Sequence, residues 1–388
     1  MSLLTTIASA FKGGGRPAVP VARGFVSPWA TAFEARPGAA PFDYAEALRD
    51  GYEGNPVAQR SVRIVAEGVG SAPLLARDPK LAALVAAPSA GQSLVETLAA
   101  HLLLHGNAYV QVLKDGAGTP VELFALRPDR VSVVPGEDGW PRGYRYRLGA
   151  RAIDLPLEDA DGWPEILHLK AFHPGDDHYG AGALAAAAPA IAIHNAASRW
   201  NRALLDNAAR PSGALVHAPG DGGEMTAEQY ERLRTELTRA FEGAGNAGRP
   251  MLLDGGMSWQ SMALSPADMD FATLKAAAAR DIALAFGVPP MLLGLPGDNT
   301  YANYREANRA LWRLTLLPLA NKMLGGIAHG LAPWFGGDAG QPALAVDQDR
   351  IPALAEDRER LWAQIGAANF LSAQEKRALL GLDTGETA

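Results

Sequence analysis

The sequence predicts an α+β fold, in which one mixed domain is followed by long, alanine-rich helices. Three observations predict this fold class. Residues 42–170 of the 388-residue chain combine helical spacing with period-two alternation of apolar residues. Two alanine-rich helical patterns then cover residues 184–208 and 267–286. Between them, residues 212–264 contain short strand patterns around one amphipathic helix, so we expect a small α/β insert there.

Composition argues against several classes of protein. The net charge of −7 is unfavourable for tight general binding to nucleic acid. The chain has no cysteine, so disulfides, thiolate nucleophiles and cysteine-based metal sites are excluded. No run of about 18 uninterrupted apolar residues occurs, and we therefore predict no membrane span. Residues 1–11 are mildly apolar but follow no basic segment, so we do not expect a signal peptide.

The first domain is predicted to begin with two helices. Residues 12–41, which precede it, are rich in glycine and proline and predict a flexible or extended arm. Asn55 is a good N-cap for a helix over residues 56–69, and a second helix over 94–105 ends at Gly106. Period-two alternation then predicts strands over residues 108–113, 121–126, 131–134, 144–148 and 165–169.

The middle of the chain is predicted to be two long helices around the insert. Pro189 either starts or kinks the first of them. In the second, Phe271, Leu274, Ile282 and Phe286 share one face. The insert is predicted to contain strands over residues 214–217, 251–254 and 257–261 and a helix over 225–241.

A sharp break is predicted after the second long helix. Gly287 lies where a left-handed cap residue is needed, and Pro289 and Pro290 prevent the helix from continuing. Residues 295–299 are mostly turn formers. Two helices are therefore expected to meet across a short polar loop.

The last third of the chain is predicted to be helical again. Thr300 is a good N-cap for a third long helix over residues 300–328, in which Pro318 predicts a kink. Two short charged helices follow over residues 353–368 and 372–380. The residues expected on the buried side of the third helix are Tyr301, Tyr304, Leu311, Leu314 and Ile327.

The sequence contains no convincing catalytic centre. His168, His173 and His178 come closest to a metal constellation, with Asp176 and Asp177 between the last two. Their spacing suits neither one helix face nor a compact loop site. No phosphate-binding loop of the Walker type is present. We therefore predict a protein that is not an enzyme and that has no metal and no cofactor.

Several segments of the chain occur in an order typical of one family. They are 105–110 (HGNAYV), 123–134 (LFALRPDRVSVV), 179–184 (YGAGAL), 285–293 (AFGVPPMLL), 299–306 (NTYANYRE) and 369–382 (NFLSAQEKRALLGL). Over about residues 42–383, the chain resembles the portal proteins of tailed bacteriophages, in the Hong Kong 97-type family. Each segment alone is a weak signal, whereas their order and spacing together are specific.

The resemblance implies a ring-shaped head-tail connector, usually a dodecamer, at one vertex of a capsid. Double-stranded DNA would pass through its channel without sequence specificity during packaging and ejection. The implied protein partners are the terminase large subunit, a head-tail adaptor and the major capsid protein, and no membrane is involved. The expected location is a virion or phage-like particle, after synthesis in the host cytoplasm. The compact, alanine-rich chain would also suit a gene transfer agent.

The resemblance also divides the chain into segments. They are 1–41, N-terminal arm; 42–182, wing; 183–211, first stem helix; 212–264, clip; 265–288, second stem helix; 289–303, tunnel loop; 304–342, long kinked helix and return to the wing; and 343–388, crown. The residues expected to face DNA are Pro296, Gly297, Asp298, Asn299, Tyr301, Asn303 and Arg305. The clip residues expected to dock partner proteins are Glu228, Glu231, Arg232, Arg234 and Arg239.

The charge of the loop agrees with a channel through which DNA slides. It carries Asp298 and no lysine or arginine, and each phosphate that a protein neutralises adds salt-dependent affinity. Arg305 is the nearest cation. It either contacts phosphate or pairs with Glu306 or with a neighbouring subunit.

Two other functions remain open at this point. One is a soluble hydrolase with an unrecognised site near Asp176, Asp177 and His178. The other is a monomeric scaffold or adaptor.

Overall fold

The computed structural model describes residues 43–137, 139–206, 213–217, 226–241, 257–261, 271–295, 300–336 and 344–380. Within these ranges the α+β class is confirmed. The helices are α1 (Tyr44–Ala47), α2 (Pro56–Gly70), α3 (Pro79–Ala86), α4 (Leu94–His105), α5 (Ala183–Asp206), α6 (Ala227–Phe241), α7 (Phe271–Ala285), α8 (Tyr301–Leu311), α9 (Leu317–Gly330), α10 (Ala332–Phe335), α11 (Ala355–Ala367) and α12 (Ala373–Leu380). The strands are β1 (Leu74–Ala76), β2 (Pro88–Ser89), β3 (Gln92–Ser93), β4 (Asn107–Lys114), β5 (Pro120–Leu126), β6 (Val131–Pro135), β7 (Pro141–Leu148), β8 (Arg151–Pro156), β9 (Ile166–Lys170), β10 (Gly213–His217), β11 (Met257–Ser261) and β12 (Leu344–Val346). The predicted arm and the predicted strand over 251–254 lie outside the described residues.

Capping residues determine several helix ends as predicted. Asn55 Oδ1 accepts two backbone N–H groups of the first turn of α2, each at 3.0 Å. Gly106 ends α4 in the left-handed region, with a φ of 79°. Thr300 Oγ1 accepts the backbone N–H of Asn303 at 3.2 Å at the start of α8. The boundaries of these helices are therefore local properties of the sequence.

Two antiparallel three-stranded sheets form the first domain, in the orders β5-β4-β9 and β6-β7-β8. On the central strand β4, Tyr109 lies opposite Leu126 of β5 and His168 of β9. The sequence did not predict β8, because five of its six residues are exposed and its apolar alternation is limited to Ile153 and Leu155 on either side of Asp154. The strands β1 and β12 pair with each other, so the start of segment 343–388 joins the first domain.

One hydrophobic core connects the first domain to the helices that follow it. It contains side chains from α2, α3, α4, β4, α5, α7 and α9. The largest fully buried side chains in the described residues are Tyr109, Phe286, Leu81, Leu94, Leu98, Leu123, Leu184, Ile282, Leu316, Met323, Leu324 and Ile327. None of the described helices is both long and apolar enough to span a lipid bilayer.

The helices α5 and α7 pack against each other through small and aliphatic side chains. Ala187 and Ile191 are buried on α5, and Ala279 and Ile282 are buried on α7. Leu274, which was predicted on the same face of α7 as Ile282 and Phe286, is 45% exposed, whereas Ile282 and Phe286 are buried.

The third long helix is interrupted as predicted, and the interruption is a π-helical turn. The turn comprises Trp312–Leu316, between α8 and α9. Pro318 follows it in the first turn of α9. Proline has no N–H to donate to the carbonyl four residues earlier, and a wider turn is one way to accommodate that loss.

The π-helical turn explains part of an error in the predicted buried side. Leu311 and Ile327 are buried as expected, whereas Leu314 is 76% exposed and Tyr304 is 52% exposed. Leu314 lies inside the turn, where the helical spacing no longer applies. Tyr304 lies on the outer face of α8. The inner face of α8 contacts the turns that precede and follow it and the 3-10 turn of Pro352–Leu354, and ion pairs connect it to α11.

Candidate functional site

A glycine and a threonine determine the geometry of the hinge between α7 and α8. Gly287 has a φ of 66°, in the left-handed region, directly after α7. The hydroxyl of Thr315, in the π-helical turn, donates a hydrogen bond to the Gly287 carbonyl at 2.6 Å. A Cβ on Gly287 would lie only 2.7 Å from the same hydroxyl oxygen. The end of α7 is therefore held directly against the interrupted helix.

The structure describes both ends of the predicted tunnel loop. Pro290–Leu293 form a 3-10 turn that ends at Gly294, whose φ is 72°. Asn303 and Arg305 lie on the exposed side of α8. Tyr301 lies in the first turn of α8, but its side chain is outside the description. The other predicted DNA-facing residues, Pro296, Gly297, Asp298 and Asn299, are outside the described residues.

Ion pairs connect α8 to α11. Arg305 Nη1 lies 2.9 Å from Glu356 Oε1, and Arg309 Nη2 lies 2.5 Å from Glu356 Oε2. Arg309 also pairs with Glu306 at 3.0 Å, and its side chain is only 15% exposed. Hydrogen bonding from Arg309, together with the positive charge of Arg305, lowers the pKa of the Glu356 carboxyl. Arg305 is thus engaged within the chain by Glu356, a residue that was not among its expected partners.

The predicted docking residues lie on a helix with a charged, exposed surface. Glu228, Glu231, Arg232 and Arg234 are all exposed on α6, and the side chain of Arg239 is outside the description. Arg234 Nη1 lies 3.3 Å from Glu231 Oε1. The strands on either side of this helix in the chain, β10 and β11, pair in an antiparallel register from Gly213 opposite Ser261.

A buried polar cluster joins β4 to the loop before α5. Asn107 is fully buried, and its Oδ1 accepts the Gly180 backbone N–H at 2.7 Å and the His168 Nε2–H at 3.0 Å. Its amide nitrogen contacts His105 Nδ1 at 3.1 Å and donates to the Gly180 carbonyl at 3.3 Å. Desolvation lowers the pKa values of His105 and His168 to about 3, so both rings are neutral. This cluster fixes the glycine turn that precedes the first long helix.

Two side chains of the loop proposed for the alternative hydrolase site accept hydrogen bonds from the backbone. Asp176 Oδ1 accepts the backbone N–H groups of His178 and Tyr179 at 2.7 and 3.0 Å. His173 Nδ1 accepts the backbone N–H of Gly175 at 3.1 Å. In the described part of the chain, no three metal-ligating side chains are close enough to share an ion. The side chains of Asp176 and His173 therefore stabilise turns of their own loop.

Sequence reasoning missed three residues that organise these sites. Glu356 and Thr315 contact partners 51 and 28 residues away in the chain, and no local pattern identifies such pairs. Asn107 could have been identified from the sequence, because a polar amide at the start of a buried strand requires hydrogen-bond partners. Of its neighbours, Gly106 was predicted as the end of a helix, and His105 was named only as the last residue of that helix and as part of a family motif.

The chain belongs to the phage portal protein family, whose family model matches residues 56–381. A protein of Rickettsia bellii is 40% identical over 347 residues, which cover 86% of this chain and 88% of that protein. The portal protein of Enterobacteria phage HK97 is 24% identical over 244 residues, which cover 62% of this chain and 54% of that protein. The predicted resemblance and the prediction of a portal, or head-tail connector, are thus confirmed.

Solved structures agree with the sequence relatives. A chain from the virion of a native gene transfer agent particle has a TM-score of 0.67 and 48% identity, with 98% of this chain and 99% of that chain covered. A chain from the neck of a native gene transfer agent particle, computed with C12 symmetry, has the same TM-score and identity. The predicted portal fold is confirmed by these matches.

Proposed function

We propose that this chain forms a closed dodecameric ring at one vertex of a phage-like particle. Double-stranded DNA passes through the ring without sequence specificity, inward during packaging and outward during ejection. One observation carries the proposal: the chain is 48% identical, over 98% of its length, to a chain from a particle neck with C12 symmetry. That neck belongs to a gene transfer agent, and we assign this chain to a particle of the same kind.

The exposed faces of the long helices support a ring. A closed ring requires two different faces on each subunit that complement each other. On α5, the exposed residues include Ala186, Ala192 and Ala196, and on α7 Leu284 is 77% exposed. Small side chains permit close approach of a neighbouring helix, and burial of Leu284 there would add roughly 2 kcal/mol for each subunit. These faces therefore suit contact with a second copy of the chain.

We assign the predicted segments to parts of the ring. In this assignment α5 and α7 form the stem, β10, α6 and β11 form the clip, and α11 and α12 form the crown. The sheets of residues 42–182 form the wing, and residues 1–41 form an arm. The clip residues Glu228, Glu231, Arg232, Arg234 and Arg239 dock the terminase large subunit and later the head-tail adaptor, while the major capsid protein surrounds the ring.

The hinge residues face the DNA in this proposal. Residues 296–299 carry no positive charge, and Arg305 is already engaged by Glu356. Few phosphates are then neutralised, so the loop contacts DNA without holding it. Tyr301 and Asn303 complete the channel surface at the start of α8. The protein acts as a conduit, without catalysis and without a cofactor.

Deletion of residues 296–299 tests this role. We expect rings of unchanged mass, because the two ends of the hinge remain in place. We expect particles with reduced DNA content, because the residues proposed to contact DNA are removed. A matched variant replaces the same four residues with glycine and serine, which keeps the length of the loop and removes its side chains. Full DNA content in particles that carry the deletion would contradict the assignment of the loop to the channel.

A second variant tests whether the loop lacks contacts that hold DNA phosphates. Asp298→Lys combined with Asn299→Lys adds positive charge to each subunit where the loop is proposed to meet phosphates. We expect slower DNA ejection at low salt and recovery at high salt, because phosphate contacts are weakened by salt. Equal ejection rates at both salt concentrations would show that these residues do not meet DNA.

A further inference from the structure

An apolar groove lies between the end of α2, α3 and the start of α4. It has a volume of about 390 Å³ and is lined mainly by small aliphatic residues, including Ala72, Leu74, Ala82, Ala83, Ala86 and Val95. Its volume lies in the range of about 300–1,000 Å³ that is typical of binding pockets. Among the described residues, no charged side chain lines it, and Ser93 is its one polar lining residue. Such a lining excludes phosphates and metal ions and favours an apolar segment.

The N-terminal arm contains a segment of matching chemistry. Leu3, Leu4, Ile7 and Phe11 follow each other at helical spacing, and the residues between them are serine, threonine and alanine. An amphipathic segment of this kind presents one apolar stripe, which is the usual partner of an apolar groove. Residues 1–11 of the chain itself are therefore an occupant whose chemistry matches the groove.

The start of the described chain, next to the arm, lies within reach of the groove. The ring of Tyr44 packs against His105 at a centroid distance of 4.8 Å, and His105 is the last residue of α4. The groove is at the other end of α4, where Ser93 and Val95 line it. The 12 residues of this helix span about 18 Å.

The intervening chain is longer than this distance requires. Residues 12–42 span at most about 100 Å when fully extended, and a random chain of this length has an r.m.s. end-to-end distance of about 30 Å. A tether of that length keeps the segment at an effective concentration on the order of millimolar near its own groove. A modest intrinsic affinity is then sufficient for occupancy within one chain.

We propose that residues 1–11 dock in this groove of their own chain, with Leu3, Leu4, Ile7 and Phe11 against its apolar lining. The arm then covers the surface formed by α3 and the start of α4, and its glycine- and proline-rich part connects the groove to α1. This contact does not depend on the ring or on DNA.

Disulfide trapping tests the contact, because the natural chain contains no cysteine to interfere. The double variant Ala8→Cys with Ala83→Cys places one thiol beside the apolar stripe and one in the groove. A disulfide requires the two Cα atoms to approach within about 7 Å. Under mild oxidation we expect a bond within one chain, identified by peptide mass spectrometry, to form at least tenfold faster than in a control pair. The control combines Ala8→Cys with Ile153→Cys, on exposed β8.

Two further variants test whether trapping depends on the apolar side chains of the arm and on the position chosen in the groove. Replacement of Leu4, Ile7 and Phe11 by serine, in the Ala8→Cys with Ala83→Cys background, is expected to slow trapping to the control rate. Ala86→Cys serves as a second position in the groove if Ala83→Cys disturbs α3. Equal trapping in the Ala83 and Ile153 pairs would overturn the proposal. A ladder of cross-linked chains would also overturn it, since the arm would then occupy the groove of a neighbour.

Discussion

Asn107 connects the sheet of the wing to the glycine turn that precedes the first long helix. It is fully buried and uses both ends of its amide, towards His105, His168 and Gly180. Asn107→Ala would leave several buried polar groups without partners, and each such group costs about 1–3 kcal/mol. We predict a loss of roughly 3 kcal/mol in the free energy of unfolding, measured in urea.

A matched exposed residue provides the control for this prediction. Asn201, on the exposed surface of α5, is also an asparagine, and Asn201→Ala should change the free energy of unfolding by less than about 0.5 kcal/mol. Equal effects of the two substitutions would show that the buried cluster does not stabilise the fold.

Three histidines near this cluster make the stability depend on pH. Desolvation lowers the pKa of His101 to about 4 and the pKa values of His105 and His168 to about 3. In the unfolded chain they titrate near 6.5, so below that pH the unfolded state binds more protons than the folded state. Stability is therefore complete above pH 6.5 and decreases as the pH falls, by up to about 4 kcal/mol per pH unit. Urea unfolding at pH 7.5, 6 and 5 measures this slope.

One substitution separates the contribution of a histidine to this pH dependence from the contribution of the carboxylates. His101 Nδ1 is buried and has no hydrogen-bond partner among the described residues, so His101→Leu removes one titrating group without breaking a bond at this nitrogen. We expect the slope between pH 6.5 and 5 to decrease by about 1.4 kcal/mol per pH unit. An unchanged slope would mean that His101 is not buried as a neutral ring.

At the scale of elements, the hinge can be tested with two glycines. Gly287 and Gly294 both have positive φ, but only at Gly287 would a Cβ meet a neighbour, the Thr315 side chain. Gly294→Ala should cost roughly 1–2 kcal/mol from backbone conformation alone. Gly287→Ala should cost a further 1–3 kcal/mol or so from the steric conflict. Thermal and urea unfolding of the two variants measure the difference.

The double variant Gly287→Ala with Thr315→Ala identifies the source of that cost. Removal of the threonine side chain relieves the conflict, so the two substitutions should be less than additive. Additive effects would show that α7 and the π-helical turn are not coupled through this contact.

The elements also show how far sequence reasoning extends. Helix ends at Asn55, Gly106 and Thr300 were predictable, because a cap depends on residues within one turn. The pairing of Arg305 with Glu356 was not, since it depends on how two distant helices pack. The exposure of Leu314 was missed because a π-helical turn changes the spacing on which the prediction depended.

At the scale of the whole molecule, the family was predictable and the assembly surfaces were not. The order of the motifs from residue 105 to 382 was sufficient to indicate a portal. The pairing of β1 with β12, about 270 residues apart, has no local signal, although it joins the C-terminal segment to the first domain. The exposure of Leu284, by contrast, follows from how the described elements pack around α7, and no pattern in the sequence predicts it.

The mass and shape of the assembled protein test the proposed ring most directly. Mass photometry and negative-stain microscopy of the purified chain, with and without capsid protein, give both quantities. We predict closed rings with a central channel and a mass about twelve times that of the 40.8 kDa chain. A stable monomer of 40.8 kDa, at high protein concentration and with capsid protein present, would contradict the proposed function.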